Sequence, residues 1–266
     1  MNDQTVLLTE VRSNIGTITL NRPHSKNALS IDLLVEIHRT LTAWSRSDDI
    51  RCVIVTGGTS RAFSSGYDIS SIPTMMTPEI EEVMHRGSPL EFALDAVFSY
   101  PYPTIAMMNG YAFGAGLNLA LCCDMRIAAS DVKVGMPPAR LGLVYHPDGL
   151  RRFIEVVGMA RTREIFFTGN TYEGEEALAI GLVDRLVPRE ELEDTVYAVA
   201  ETIAGNAPLA LKGTKRILSM ISERTRLGEE EMNEARRLMR EAFESDDLKE
   251  GQVAFFEKRP PRFSGK

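Results

Sequence analysis

"FGAGLNLALCCDMRIA", residues 113–128, decides how the rest of the chain is read. Gly114, Ala115 and Gly116 open an apolar run in which one uncharged amide, Asn118, stands. Small residues ahead of a helix let backbone N–H groups come close to a ligand anion. The run closes at Asp124, and "MRIAAS" (125–130) reads as a short strand.

Upstream, "RCVIVTG" (51–57) and "TIAMMNG" (104–110) read as short buried strands, each leading into a loop of small residues. Between the first of these and the N-terminus, Leu33, Leu34, Ile37, Leu41 and Trp44 fall on one face of a helix. "VLLTEV" (6–11) and "GTITLN" (16–21) alternate as half-buried strands do, with "RSNIG" as their turn. A further helix is predicted from about Pro78 to Phe98. Strand, helix, strand, repeated, is an α/β signature. Downstream, helical patterns take over: "PDGLRRFIEVVG", "ARTREIFFTG", "REELEDTVYAVAETIAGN" and the strongly amphipathic "EEEMNEARRLMREAF". The break at "AGNAP" divides an α/β body, residues 1–205, from a helical region, residues 206–266.

The 266 residues suffice for one large domain with a helical appendage. No apolar run approaches the roughly 20 residues of a membrane helix. The start lacks the basic and apolar segments of a signal peptide, so a cytoplasmic location is expected. Cys52, Cys122 and Cys123 lack metal-ligand spacing and are expected as buried free thiols, with no metal site. A net charge of −7 argues against general nucleic-acid binding. Residues 206–266 nevertheless hold 13 Lys and Arg against 11 Asp and Glu. That basic tail is the better candidate for an anionic ligand or a neighbouring subunit.

The loops 57–70, "GGTSRAFSSGYDIS", and 109–120, "NGYAFGAGLNLA", are rich in small residues. In α/β folds such loops gather at one end of the sheet. If both aim N–H groups at one point they form an oxyanion hole. The alternative is that the glycines serve only tight turns and close helix–strand packing. Neither loop carries a dinucleotide fingerprint or a P-loop.

Together with "LNRPHSKNALS" (20–30), "EALAIGLVDRLV" (176–187) and "EGQVAFFEKRPPRFSGK" (250–266), these loops resemble the crotonase, or enoyl-CoA hydratase/isomerase, family over nearly the whole chain. The resemblance implies a spiral of ββα repeats with a helical C-terminal trimerisation region, and a homotrimer or dimer of trimers. It implies an acyl-CoA thioester substrate, no cofactor beyond that coenzyme A, and an enolate oxyanion held by the backbone N–H groups of Tyr67 and Ala115. Gly66 and Gly114 stand beside these donors as substrate contacts. Coenzyme A would meet the turn around Lys26 and Ala28, the Lys258 side chain and Met239. The methionine-rich segment with Met75, Met76 and Met84 would line the acyl pocket.

Two glutamates position water in the family's hydratases. By motif position the first falls on Asn118 and the second on Pro138. Neither replacement takes up a proton at neutral pH. In "LGLVYHPDGLRR" (141–152), Pro147 and Asp148 suit a helix start, with Tyr145 and His146 just before it. Relatives carry a functional aspartate at or beside the position of His146, and a decarboxylating relative carries a site tyrosine at that of Tyr145. The catalytic candidates are therefore Tyr67, Ala115, Asn118, Tyr145 and His146. Tyr145 tilts the reading towards decarboxylation and His146 towards proton transfer in isomerisation. A hydratase or hydrolase with a substitute base, and a noncatalytic CoA-binding member, are the alternatives. Asp68 and Asp124 are expected to hold loops and strand ends, and Asp148 a helix start.

Overall fold

Ser13 and Asn14 both adopt positive φ, 50° and 65°, as a two-residue hairpin turn with the right-handed strand twist requires. Strand β1 (Leu7–Arg12) therefore folds back antiparallel onto β2 (Ile15–Leu20). The expected alternation is absent from both. As the outermost strand, β1 is exposed after Leu7, whereas β2 lies inside the sheet and is buried along most of its length. The chain, seen in a computed structural model, is described over residues 5–68, 88–224 and 226–265.

Strands β3 (Cys52–Thr56), β5 (Thr104–Met108), β7 (Met125–Ala129) and β10 (Arg185–Val187) extend this sheet in parallel, in the order β1-β2-β3-β5-β7-β10. A second sheet runs β4 (Ala62–Ser64), β6 (Tyr111–Phe113), β8 (Lys133–Gly135) and β9 (Thr171–Glu173). Consecutive strands alternate between the two sheets from β3 to β8, and helices follow the pairs. That is the expected ββα spiral.

The helices follow the sequence signals. Helix α1 (Ile31–Trp44) starts at Ser30, whose hydroxyl accepts from Leu33 N–H at 3.4 Å. It buries Leu33, Leu34, Ile37 and Leu41, as predicted. Helix α2 is described over Pro89–Phe98 and opens with a reciprocal cap between Ser88 and Glu91. The rest of the segment predicted from Pro78, with Met75, Met76 and Met84, lies outside the described residues. Helix α3 (Ala115–Leu121) is buried at every residue. Helix α4 (Pro147–Thr168) is interrupted at Gly158, which divides the two patterns read from the sequence. Short α5 (Gly174–Ala179) leads into β10.

Two cores result. One lies between the sheets and helices α1, α2 and α3. The other lies beneath the six-stranded sheet, against Leu192, Val196, Ala200 and Ile203 of α6 (Leu192–Ala204). Burying a Leu or Val side chain contributes about 1.5–3 kcal/mol, so these rows fix α6 to that face.

Helices α7 (Pro208–Glu223), α8 (Glu229–Glu244) and α9 (Asp246–Glu257) form the tail. A buried lysine ties α7 to the body: Lys215 Nζ donates to Asp124 Oδ2 at 2.6 Å and to Tyr102 O at 2.9 Å. Asp124 also accepts from Thr104 N–H and Oγ1 at 2.7 and 3.0 Å. Its expected role of securing a strand end is the one it performs. The three cysteines are free and buried. No described helix is long and apolar enough to cross a membrane.

Candidate functional site

The loop after β4 is held by Leu29. Its N–H donates to Gly66 O at 2.8 Å, and its carbonyl accepts from Asp68 N–H at 3.2 Å, a parallel bridge centred on Tyr67. The flanking residues carry both bonds, so the Tyr67 N–H takes no part in the bridge. Ala115 is the first residue of α3, where helix geometry leaves the N–H without an intrahelical acceptor. Neither amide has an acceptor among the described residues. The two loops meet here: a Cβ built on Gly66 would lie 2.7 Å from Phe113 O and 3.6 Å from Ala115 N.

The glycines of the second loop serve the turn and the packing, each through a different residue. Gly114 has φ +53° and open space where a Cβ would stand, and its N–H anchors the turn to Gly135 O at 2.9 Å. Gly116 serves packing, since a Cβ there would come within 2.6 Å of Ser64.

One turn along α3, Asn118 is only 1% exposed. Its Nδ2 donates to Tyr145 Oη at 3.0 Å, while its buried Oδ1 has no partner among the described residues. Gly149 makes this meeting possible: a Cβ on it would stand 2.3 Å from Tyr145 Cε1 and 3.0 Å from Asn118 Nδ2. The Tyr145 ring packs at 5.6 Å on Phe166. Burial pushes the Tyr145 phenol well above its usual pKa, against a smaller opposing pull from Asn118. The hydroxyl thus stays protonated at neutral pH, with its oxygen accepting and its own O–H left to donate.

His146 is the N-cap of α4. Its Nδ1 accepts from Asp148 N–H at 3.3 Å, and its Nε2 lies 3.1 Å from Glu91 Oε1. Glu91 Oε2 accepts from Ser88 N–H at 2.7 Å. Asn118, Tyr145, His146 and Glu91 share the wall of one cavity of about 610 Å³, which Met232 and Met239 of α8 also line. Arg152 lines it too, its guanidinium 3.0 Å above the Phe98 ring and 3.3 Å from Glu155. Burial lowers the Arg152 pKa. Cys122 is a further lining residue whose thiol burial pushes up to about 11.

Of the residues singled out in the sequence, Asn118, Tyr145, His146 and Met239 come together around this cavity. Tyr67, Ala115, Gly66 and Gly114 gather at the loop junction one helical turn away. Lys26, left-handed and exposed, and buried Ala28 form the turn beside that junction: Ser65 N–H donates to Lys26 O at 3.0 Å. Lys258, also left-handed, is exposed at the end of α9. Pro138 is buried in a short 3-10 turn. Asp68 pairs with Arg22 at 3.3 Å, as expected of a loop-holding residue. Asp148 sits in the first turn of α4.

Glu91 and Arg152 were not legible as site residues. "SPLE" (88–91) is a capping-box pattern that marks a helix start. A helix drawn through from Pro78 conceals it.

The enoyl-CoA hydratase/isomerase family pattern matches residues 10–266. The chain is 33% identical over 256 residues to the short-chain-enoyl-CoA hydratase of Clostridium acetobutylicum, covering 95% of each. Its fold matches methylmalonyl-CoA decarboxylase in complex with 2-nitronate-propionyl-CoA with a TM-score of 0.90 and 28% identity, over 98% of this chain and 99% of that one. The enoyl-CoA hydratase from Bacillus anthracis gives 0.76 and 31%, over 98% and 100%. From the paired loops to the last helix, this chain belongs to the enoyl-CoA hydratase/isomerase, or crotonase, family of acyl-CoA-processing enzymes.

Proposed function

We propose that the protein generates an acyl-CoA thioester enolate without a hydratase's glutamate pair, by decarboxylation of a malonyl-type thioester or, next to it, by isomerisation. The observation that carries this reading is the buried Asn118–Tyr145 pair. It puts an amide and a protonated phenol where the family resemblance puts the first hydratase glutamate, and buried Pro138 stands at the second. The closer backbone likeness to the decarboxylase than to the Bacillus anthracis hydratase supports it.

In this reading the bond from the α-carbon to the carboxylate breaks and carbon dioxide leaves. The electron pair passes to the thioester oxygen, and a proton is then added at the α-carbon. The free N–H groups of Tyr67 and Ala115 would hold that oxygen, at about 3–4 kcal/mol per donor. The Tyr145 O–H would face the departing carboxylate. Exposed Lys26 and Lys258 would meet coenzyme A phosphates. The exposed apolar residues of α7, Ile217, Leu218 and Ile221 among them, support assembly as a trimer or a dimer of trimers.

The test is turnover of malonyl-, methylmalonyl-, crotonyl- and dienoyl-CoA, with products identified by mass spectrometry. Loss of carbon dioxide from a malonyl-type thioester is expected. Hydration of crotonyl-CoA without any decarboxylation or isomerisation would overturn the reading in favour of a hydratase with a substitute base. That second reading draws support from the Clostridium relative's name and from the Glu91 carboxylate in the cavity.

A further inference from the structure

We infer that Glu91 is the residue that exchanges a proton with the acyl carbon in this cavity, and that His146 positions it. The inference rests on the reading above insofar as the cavity holds the acyl group. It reassigns the proton from the residue that the sequence favours.

The hydrogen bonds fix the imidazole's role. Asp148 N–H donates to His146 Nδ1, so that nitrogen presents its lone pair. In the neutral ring the proton therefore sits on Nε2, 3.1 Å from Glu91 Oε1, and points at the carboxylate. To accept a further proton, His146 would have to protonate Nδ1 and give up the bond that caps α4. Glu91 has no such conflict. Ser88 N–H holds Oε2 and the imidazole holds Oε1. Each carboxylate oxygen keeps a second lone pair, and the residue lines the cavity.

The other cavity residues are less suited. Asn118 does not ionise, and the Tyr145 phenol, kept protonated by burial, accepts from Asn118 and offers a hydrogen-bond donor rather than a base. Asp148 pairs with Arg151 at 3.5 Å. Asp95 stands a turn further along α2 and is exposed. Protonation of the enolate then breaks the Glu91 O–H bond and forms the α-carbon C–H bond. It leaves a carboxylate facing His146 Nε2–H, and that carboxylate regains from solvent the one proton that each decarboxylation consumes. The reverse step removes an α-proton to the same oxygen.

Deuterium exchange at the α-carbon of propionyl-CoA in heavy water, followed by mass spectrometry, isolates this step. The wild-type chain should exchange. Glu91→Gln keeps the capping interaction, because glutamine also serves at that position, and should slow exchange by about 10²–10⁴-fold. Glu91→Asp, with a shorter carboxylate, should stay faster than Glu91→Gln. His146→Gln still offers an N–H to Glu91 and should lose no more than about tenfold, whereas His146→Ala should lose more.

Wild-type exchange by Glu91→Gln, or a His146→Gln loss as deep as that of Glu91→Gln, would overturn the inference while leaving the enolate reading intact. A wild-type chain that neither exchanges nor turns over any thioester of the panel would sink the enolate reading itself, and the inference with it.

Discussion

Residue 118 shows how a single side chain can set the character of a site. Its amide is buried, gives one hydrogen bond to Tyr145 Oη and keeps an unpaired Oδ1. A carboxylate in the same place would accept from the phenol, reversing the direction of the bond. The phenol's O–H would then be spent on that carboxylate instead of being left to donate to a ligand. Tyr145→Phe tests the pair directly. It removes the acceptor of Asn118 Nδ2 and leaves both polar atoms of a 1% exposed side chain without partners. We expect a stability loss of about 1–2 kcal/mol in urea unfolding, and decarboxylation that falls while thioester binding is kept. Unchanged stability and turnover would show that the hydrogen bond serves neither. The sequence displayed Asn118 and Tyr145 separately. What it did not display was that Gly149 brings α4 close enough for them to touch.

At the scale of elements, an ion pair fastens the segment after α9 back onto that helix. Glu250 on α9 receives Arg259 Nη1 and Nη2 at 2.6 and 2.9 Å and Arg262 N–H at 2.7 Å. Arg259 and then Arg262 hold the Glu250 carboxyl down at about 2, below its ordinary 4.5. A carboxylate with a depressed folded-state pKa stabilises fully above its unfolded value, and the contribution is lost as pH falls through the folded value. The clasp on residues 259–265 should therefore hold at pH 6, weaken below pH 4.5 and be lost near pH 2. Glu250→Gln should release it already at pH 6. Amide hydrogen exchange of residues 259–265 reads this out, and a pH-independent pattern equal in both proteins would contradict it. The acidic and basic residues of this segment are plain in the sequence. Their pairing is not, because Arg259 reaches back nine positions only after the chain turns at left-handed Lys258.

For the whole molecule, the tail is the open question of assembly. Helix α7 anchors Lys215 in the body yet leaves Leu209 82%, Ile217 60%, Leu218 61% and Ile221 59% exposed. Scattered apolar residues are common on protein surfaces, but a row on one helix favours burial against another chain. Sedimentation should give a trimer or a multiple of it, and Ile217→Glu with Leu218→Glu should shift the chain towards monomer. A monomeric wild-type chain would refute this.

The sequence by itself determined the alternation of strands and helices, the α1 face, the two glycine-rich loops and the helical tail. All of these are local signals: apolar periodicity, caps and turn residues acting within a few positions along the chain. The Tyr67 and Ala115 amides were singled out by the family resemblance, and the structure leaves both without an acceptor among the described residues. Only the tertiary structure decided that β1 lies exposed at a sheet edge, because solvent contact depends on which strands lie alongside. Only it set Glu91 against His146, residues 55 positions apart that meet where α2 and α4 line one cavity. Proton exchange depends on distances of about 3 Å between side chains, and no spacing along the sequence encodes a contact that packing alone creates.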